Sequence, residues 1–219
     1  MKKFLKIFVT VGLLLVALAL IFNEPLKSYC VKYLAQDRLT KLTKDQVRQN
    51  NLRSVSYDFK KVKPISSKQV LKASVQNNAP AIGKIAVPSV KLKLPIVKGI
   101  DDNALSTGAG TMKPDEKMGK GNYALAGHYM TDKGALLSPI VDVQLDDLIY
   151  ITDLKSVYTY KVTLKKRIAP DAVWTINDQK GRKLISLITC ADGGANRWVI
   201  QGNLVRSRVA NRATLAVFG

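Results

Sequence analysis

A chain of 219 residues has room for one ordinary domain together with an anchor and a connecting segment. Apolar residues make up 47% and charged residues 23%, enough to bury a sizeable core and to exclude global disorder. The formal net charge of +19, from 35 basic and 16 acidic residues, favours anionic surfaces such as lipid headgroups or wall polymers. The basic residues, including Lys2, Lys3, Lys6, Lys60, Lys61, Lys63, Lys165, Lys166 and Arg167, are spread along the chain without interleaved aromatics, so nucleic acid is not an expected partner. Two cysteines, Cys30 and Cys190, make neither a disulfide framework nor a CxxC zinc spacing, and a single histidine, His128, cannot by itself found a His-based metal site.

At the N-terminus, Ile7 to Phe22 read IFVTVGLLLVALALIF, and Phe4 and Leu5 extend the stretch past Lys6. At about 1.5 Å per residue this suffices to cross a hydrocarbon core of about 30 Å. Lys2, Lys3 and Lys6 lie on its N-terminal side and Glu24 follows it, which predicts a cytoplasmic N-terminus and an extracellular remainder. The competing reading is a cleaved signal peptide. Its small-x-small triplet, Ala17-Leu18-Ala19, falls inside the apolar run, so an uncleaved single-pass anchor is expected over residues 1–23. Both readings export the rest of the chain.

Residues 24–80 read as an extracellular stem, partly helical. Pro25 is expected to break from the membrane helix. Leu26, Cys30, Tyr33 and Leu34 recur at helical spacing, predicting a helix that continues through Val47 to about Asn50-Asn51. The stretch from Arg53 to Asn78 lacks periodicity and reads as linker. Cys30 reads as a packing residue of the stem.

From residue 81 to 219 short strand-like runs alternate with turn residues. Strands are predicted at Ile82–Pro88, Leu92–Val97, Asn122–Ala126, Leu148–Ile151, Val157–Leu164, Leu184–Cys190 and Trp198–Val205, with brief helical segments near 101–106 and 135–141. Seven or eight strands at this spacing predict a mainly β domain, a closed barrel or sandwich.

Three polar residues fall where strands meet loops, the usual location of reactive groups. His128 ends the run Asn122–Ala126 and precedes a polar loop. Cys190 ends the β-branched run Leu184–Thr189, and Arg197 opens the next strand after the turn Ala191-Asp192-Gly193-Gly194. A hairpin there would return Arg197 beside Cys190. A thiol, an imidazole and a guanidinium together can attack a carbonyl, handle its protons and stabilise the oxyanion. Taken singly, each has a plainer role: a small buried hydrophobe, a surface histidine, a solvated arginine.

The surrounding segments resemble the sortase family, in its class A or housekeeping branch. Gly121-Asn122-Tyr123-Ala124-Leu125-Ala126-Gly127-His128 is similar to the strand carrying that family's essential histidine. Leu187-Ile188-Thr189-Cys190 resembles its nucleophile signature, and Arg197 with Trp198-Val199-Ile200-Gln201-Gly202 its closing strand. Ile85-Ala86-Val87-Pro88 and Pro95-Ile96-Val97-Lys98-Gly99 resemble its opening strands. Two departures stand out: Asp146-Asp147 where the family usually shows Gly-Asp, and Ser186 where Thr is commoner. The resemblance implies a closed sortase-like β-barrel of about eight strands. It also implies a cysteine transpeptidase that cleaves an LPxTG-type signal and joins the surface protein to an amine of a lipid-linked peptidoglycan precursor, at the outer membrane face of a Gram-positive cell. His128, Cys190 and Arg197 would be catalytic. Ala126 and Ile188 would line the signal groove, Thr189 would assist through its backbone, and Ile168 and Val173, in the loop to Lys183, would meet the signal's Leu. No cofactor is expected; Asp101, Asp102 and Asp178 are too few and too scattered to predict the calcium site of some members. Alternatives are a pilus-assembling sortase, disfavoured because Ala213–Gly219 is too short to span a membrane, an exported cysteine peptidase, and a non-catalytic wall-binding domain.

Overall fold

A computed structural model describes residues 2–59, 62, 65–76 and 78–219. Lys60, Lys61 and Lys63, counted above among the dispersed basic residues, lie outside the described residues. Eight strands close into one barrel: β1 (Ala81–Val87), β2 (Leu92–Val97), β3 (Ala109–Thr111), β4 (Asn122–Ala126), β5 (Leu148–Thr152), β6 (Ser156–Ile168), β7 (Leu184–Ala191) and β8 (Asn196–Val209). Their order around the barrel is β1-β2-β3-β4-β7-β8-β6-β5. The pairs β2–β3 and β4–β7 are parallel; the other pairs are antiparallel. β3 was not among the strands predicted, because three residues, Ala-Gly-Thr, carry too little alternation to register.

Strand alternation decides which side chains fill the barrel. Ile85, Ile96, Tyr123, Leu125, Ile149, Ile151, Tyr160, Ile185, Leu187 and Ile200 share one buried apolar cluster. The predicted short helices become α4 (Asp102–Leu105), capped by the Asp101 carboxylate on the Ala104 N–H at 2.8 Å, and a 3-10 turn at Ser138–Asp142. A last short helix, α5 (Arg212–Leu215), follows β8.

The unusual Asp146-Asp147 pair makes a regular turn. Asp146 takes φ +71, the left-handed conformation that glycine adopts freely and aspartate tolerates. Its N–H donates to the Val162 carbonyl, and the Asp147 carboxylate accepts from the Gln144 N–H and the Ser89 hydroxyl, each at 2.8 Å.

The stem differs from its expectation in three ways. First, α1 (Lys2–Lys41) runs through Pro25. The chain bends by 45° between Leu18 and Ile21, at the turn where proline withdraws its N–H from the Ile21 carbonyl and crowds it. Among the described residues no single helix is long and apolar enough to cross a membrane; Lys6–Leu18 and Ile21–Lys41 meet that length and composition only together. Second, the helix stops at Lys41 and restarts as α2 (Lys44–Asn51), because Thr43 and Gln46 form a reciprocal capping box. Third, part of the supposed linker is a helix, α3 (Ser67–Gln76).

These helices dock on the barrel. Val31 and Ala35 of α1 and Val70 of α3 join the same apolar cluster as the barrel interior, alongside Met130, Leu136 and Leu137. Burying Val31 and Val70 at roughly 1.5–3 kcal/mol each outweighs the exposed Lys32–Asp132 ion pair (2.6 Å), worth about 0–1 kcal/mol. Arg38 is buried, its Nη1 donating to Thr107 Oγ1 at 2.9 Å and to the Ala79 carbonyl at 3.3 Å. Burial lowers its pKa to about 10, against the field of Asp37, and it stays charged. Cys30 is a free, half-buried thiol packed on the cluster.

Candidate active site

With Tyr123, Leu125, Ile185 and Leu187 filling the barrel, the alternate residues of β4, β7 and β8 face outward. Register arranges them in rungs. Ala124, Ser186 and Gln201 form one; Ala126, Ile188 and Val199 form the next. One step further, Cys190 pairs directly with Arg197, and Arg197 with Ile168 on β6. Facing residues of an antiparallel pair hold their Cβ atoms about 4.5–5.5 Å apart on one face. β4 ends at Ala126, but its register continues: the Gly127 N–H donates to the Ile188 carbonyl at 3.1 Å, and Thr189 Oγ1 donates to the Gly127 carbonyl at 2.8 Å. His128 therefore stands level with Cys190. Backbone register thus brings the residues that bear an imidazole, a thiol and a guanidinium to one level at the open end of the seam.

The environment of each differs. His128 is only 7% exposed. Burial pushes its pKa down to about 4, against an opposing pull from Asp102, so the imidazole is neutral at pH 7. Cys190 is a free, half-buried thiol. Arg197 donates through Nη1 to the carbonyls of Gly194 (2.7 Å) and Asn196 (2.8 Å). Among the described residues no acceptor engages its Nε or Nη2, which leaves donors for a bound oxygen.

Below this rung lies an apolar floor. Ala126, Ile168, Ile176 and Val62 pack on a buried cluster of Ile100, Leu105, Met112, Ala124, Ile188 and Val199. Three of the sequence-derived lining candidates, Ala126, Ile188 and Ile168, thus share one surface. Val173 is 63% exposed on the connection between β6 and β7, away from that cluster. Thr189 is buried, its hydroxyl holding the chain that carries His128. Sequence reasoning missed Ile100, Leu105, Met112 and Val62 as floor residues. They arrive from the β2–β3 segment, the chain before β4 and the stem, and only the closed barrel brings them there; Ala124 and Val199, also missed, could have been found by stepping two residues along their strands from Ala126 and Arg197.

A polar knot fixes one wall. The Ser186 hydroxyl lies 2.8 Å from Asn122 Oδ1 and 2.9 Å from the Thr175 carbonyl, and accepts from Gln201 Nε2 at 3.0 Å. Asn122 Nδ2 donates to the Thr175 and Asn177 carbonyls at 2.8 and 3.1 Å. The serine found where threonine is commoner is the centre of this network. Asp178 completes the wall by accepting from Lys113 Nζ (2.7 Å) and the Asn122 N–H (3.0 Å). Gly121 takes φ +52, the left-handed region that favours glycine, and a Cβ there would push the exposed Asp178 carboxylate aside. Among the described residues no three His, Cys, Asp or Glu side chains gather as a metal site would need.

Comparison with known proteins gives a consistent pattern. A family model described as Sortase domain matches residues 85–205. Sortase A of Streptococcus agalactiae is 36% identical over 205 residues, covering 90% of this chain and 83% of that protein. Sortase A of Listeria monocytogenes is 38% identical over 188 residues, covering 85% and 84%. The crystal structure of Listeria monocytogenes sortase A aligns with a TM-score of 0.60 at 40% identity, covering 63% of this chain and 96% of that one.

Proposed function

This chain belongs to the sortase family, in its class A branch, and from that premise we propose that it cleaves an LPxTG-type signal between Thr and Gly and transfers the surface protein to an amine of a lipid-linked peptidoglycan precursor. It is a cysteine transpeptidase. The observation that supports the finer reading is the direct pairing of Cys190 with Arg197, with His128 two residues past the end of the adjacent β4, above an apolar floor.

In this reading the signal lies along the floor with its Thr carbonyl over Cys190. Neutral His128 takes the thiol proton as sulfur attacks the carbonyl carbon, giving a thiolate-derived tetrahedral intermediate and an imidazolium. Arg197 donates to the oxyanion and to the signal backbone through its unengaged nitrogens. As the C–N bond breaks, His128 returns the proton to the departing Gly amine, leaving a thioester on Cys190. The acceptor amine then attacks that thioester, passes a proton to His128, and expels Cys190 as a thiolate that is reprotonated. Ala126, Ile188 and Ile168 contact the apolar part of the signal. Val173 reaches it from the exposed connection. Thr189 acts by fixing Gly127, and with it the position of His128.

The anchor belongs to the same proposal. The apolar run ahead of Glu24 crosses the membrane, with the N-terminus cytoplasmic and the barrel outside. Because α1 continues into the barrel's apolar cluster, signal protein, lipid-linked acceptor and enzyme are confined to one layer, raising their effective concentrations.

Mass spectrometry of the protein mixed with a sorting-signal peptide tests the reading. A Cys190-linked acyl adduct that disappears on adding an amine, with the ligated peptide as product, is expected. Release of hydrolysed peptide at a rate indifferent to the amine would assign a cysteine peptidase instead.

A further inference from the structure

The turn between Cys190 and Arg197 contains a carboxylate that the mechanism does not use. Asp192 follows the nucleophile by two residues and takes φ +52, followed by Gly193 at +65 and Gly194 at +102. Three successive left-handed residues, two of them glycine, have little conformational preference of their own. One backbone bond, Ala195 N–H to the Asp192 carbonyl at 3.2 Å, spans the turn.

The Asp192 side chain supplies the rest. Oδ1 meets Arg167 Nη1 at 2.6 Å, at the end of β6, and Oδ2 accepts from Asn196 Nδ2 at 2.7 Å, on the first residue of β8. Arg167 is itself seated over the Trp198 ring, 5.5 Å from its centroid. The carbonyls that hold the Arg197 guanidinium are those of Gly194 and Asn196. Both belong to the segment that Asp192 ties down.

We infer that Asp192 is a positioning residue for Arg197: its carboxylate, braced by Arg167 and Asn196, fixes the two carbonyls that aim the guanidinium across Cys190. An exposed ion pair adds little to stability, so its effect falls on reaction geometry. The inference rests on the role proposed for Arg197 and adds a residue to it.

Single-turnover acylation of Cys190 by a sorting-signal peptide, followed by mass, provides the test. Asp192→Ala is expected to lower the maximal acylation rate about tenfold with little change in the half-saturating peptide concentration and in melting temperature. Arg167→Ala should do the same, and the double variant should lose no more than either alone. In an Arg197→Lys background, whose guanidinium fork is gone, the Asp192→Ala loss should shrink to less than about twofold. An unchanged rate in Asp192→Ala, or an equal tenfold loss in both backgrounds, overturns the inference. Failure of the parent protein to acylate at all would instead overturn the proposed transpeptidation.

Discussion

Two regions meet on this barrel and are held by opposite means. In the seam of β4, β7 and β8, backbone ladders position the proposed catalytic residues: Cys190 faces Arg197 through paired strands, and the Gly127 and Thr189 bonds carry the chain of His128 on beside β7. The stem of α1 to α3 is held by side chains pushed into the barrel surface, with Val31, Ala35 and Val70 in the core cluster and Arg38 bonded beside Thr107. A ladder fixes geometry to within a rung and tolerates changes of side chain; plugs contribute stability and tolerate almost none. Chemistry and stability should therefore separate between the regions when each is mutated.

The largest expected effect lies in the seam. Cys190→Ala and Arg197→Ala should each reduce transpeptidation by about a thousandfold or more while circular dichroism and melting temperature stay near those of the parent. Full activity in either variant would break the division. In the stem the pattern should invert. Arg38→Ala removes the buried donor to Thr107 and the Ala79 carbonyl and should destabilise by about 2–3 kcal/mol in denaturant titration. Its turnover, measured well below the melting temperature, should stay within about twofold of the parent. A large loss of turnover without loss of stability would show that the stem takes part in the chemistry.

The smallest effect sharpens the seam itself, where one of the proposed catalytic groups is buried. The His128 pKa falls from 6.5 to about 4 on folding, so between those values the unfolded chain binds more protons than the folded one. Stability contributed by the neutral imidazole is complete above pH 6.5 and is lost as pH falls toward 4. Moving from pH 7 to 5.5 should lower unfolding free energy by about 1 kcal/mol from this group. Since the chain has one histidine, its imidazole proton resonance reports the titration directly. A midpoint near 6.5 would contradict the buried, neutral state.

Legibility in sequence followed the same division. The barrel class and the strand ends bearing His128, Cys190 and Arg197 were readable because period-two alternation is a local property of runs such as Leu184–Cys190. The stem was not. The α3 segment, SKQVLKASVQ, buries Val70 and Ala73 while leaving Leu71 and Val75 exposed, so its face is defined by its neighbours and its own pattern is weak. Pro25 was expected to end a helix; it accompanies a bend one turn earlier. Asp146 carries a positive φ that its residue type does not announce, and Ile100 and Leu105 reach the floor only through the β2–β3 connection.

The parallel pairing of β4 with β7 bears on how the reactive centre first comes into being. Gly127 and Thr189, which clasp across that pairing, are 62 residues apart in the chain, and a parallel pair cannot form as a tight hairpin. Closing so long a loop must precede any contact between imidazole and thiol, and such non-local pairing forms slowly. While the chain is still collapsing, the β7–β8 hairpin can already set Arg197 beside Cys190, but the proposed base is still missing, so in the proposed mechanism acylation waits until β4 joins β7.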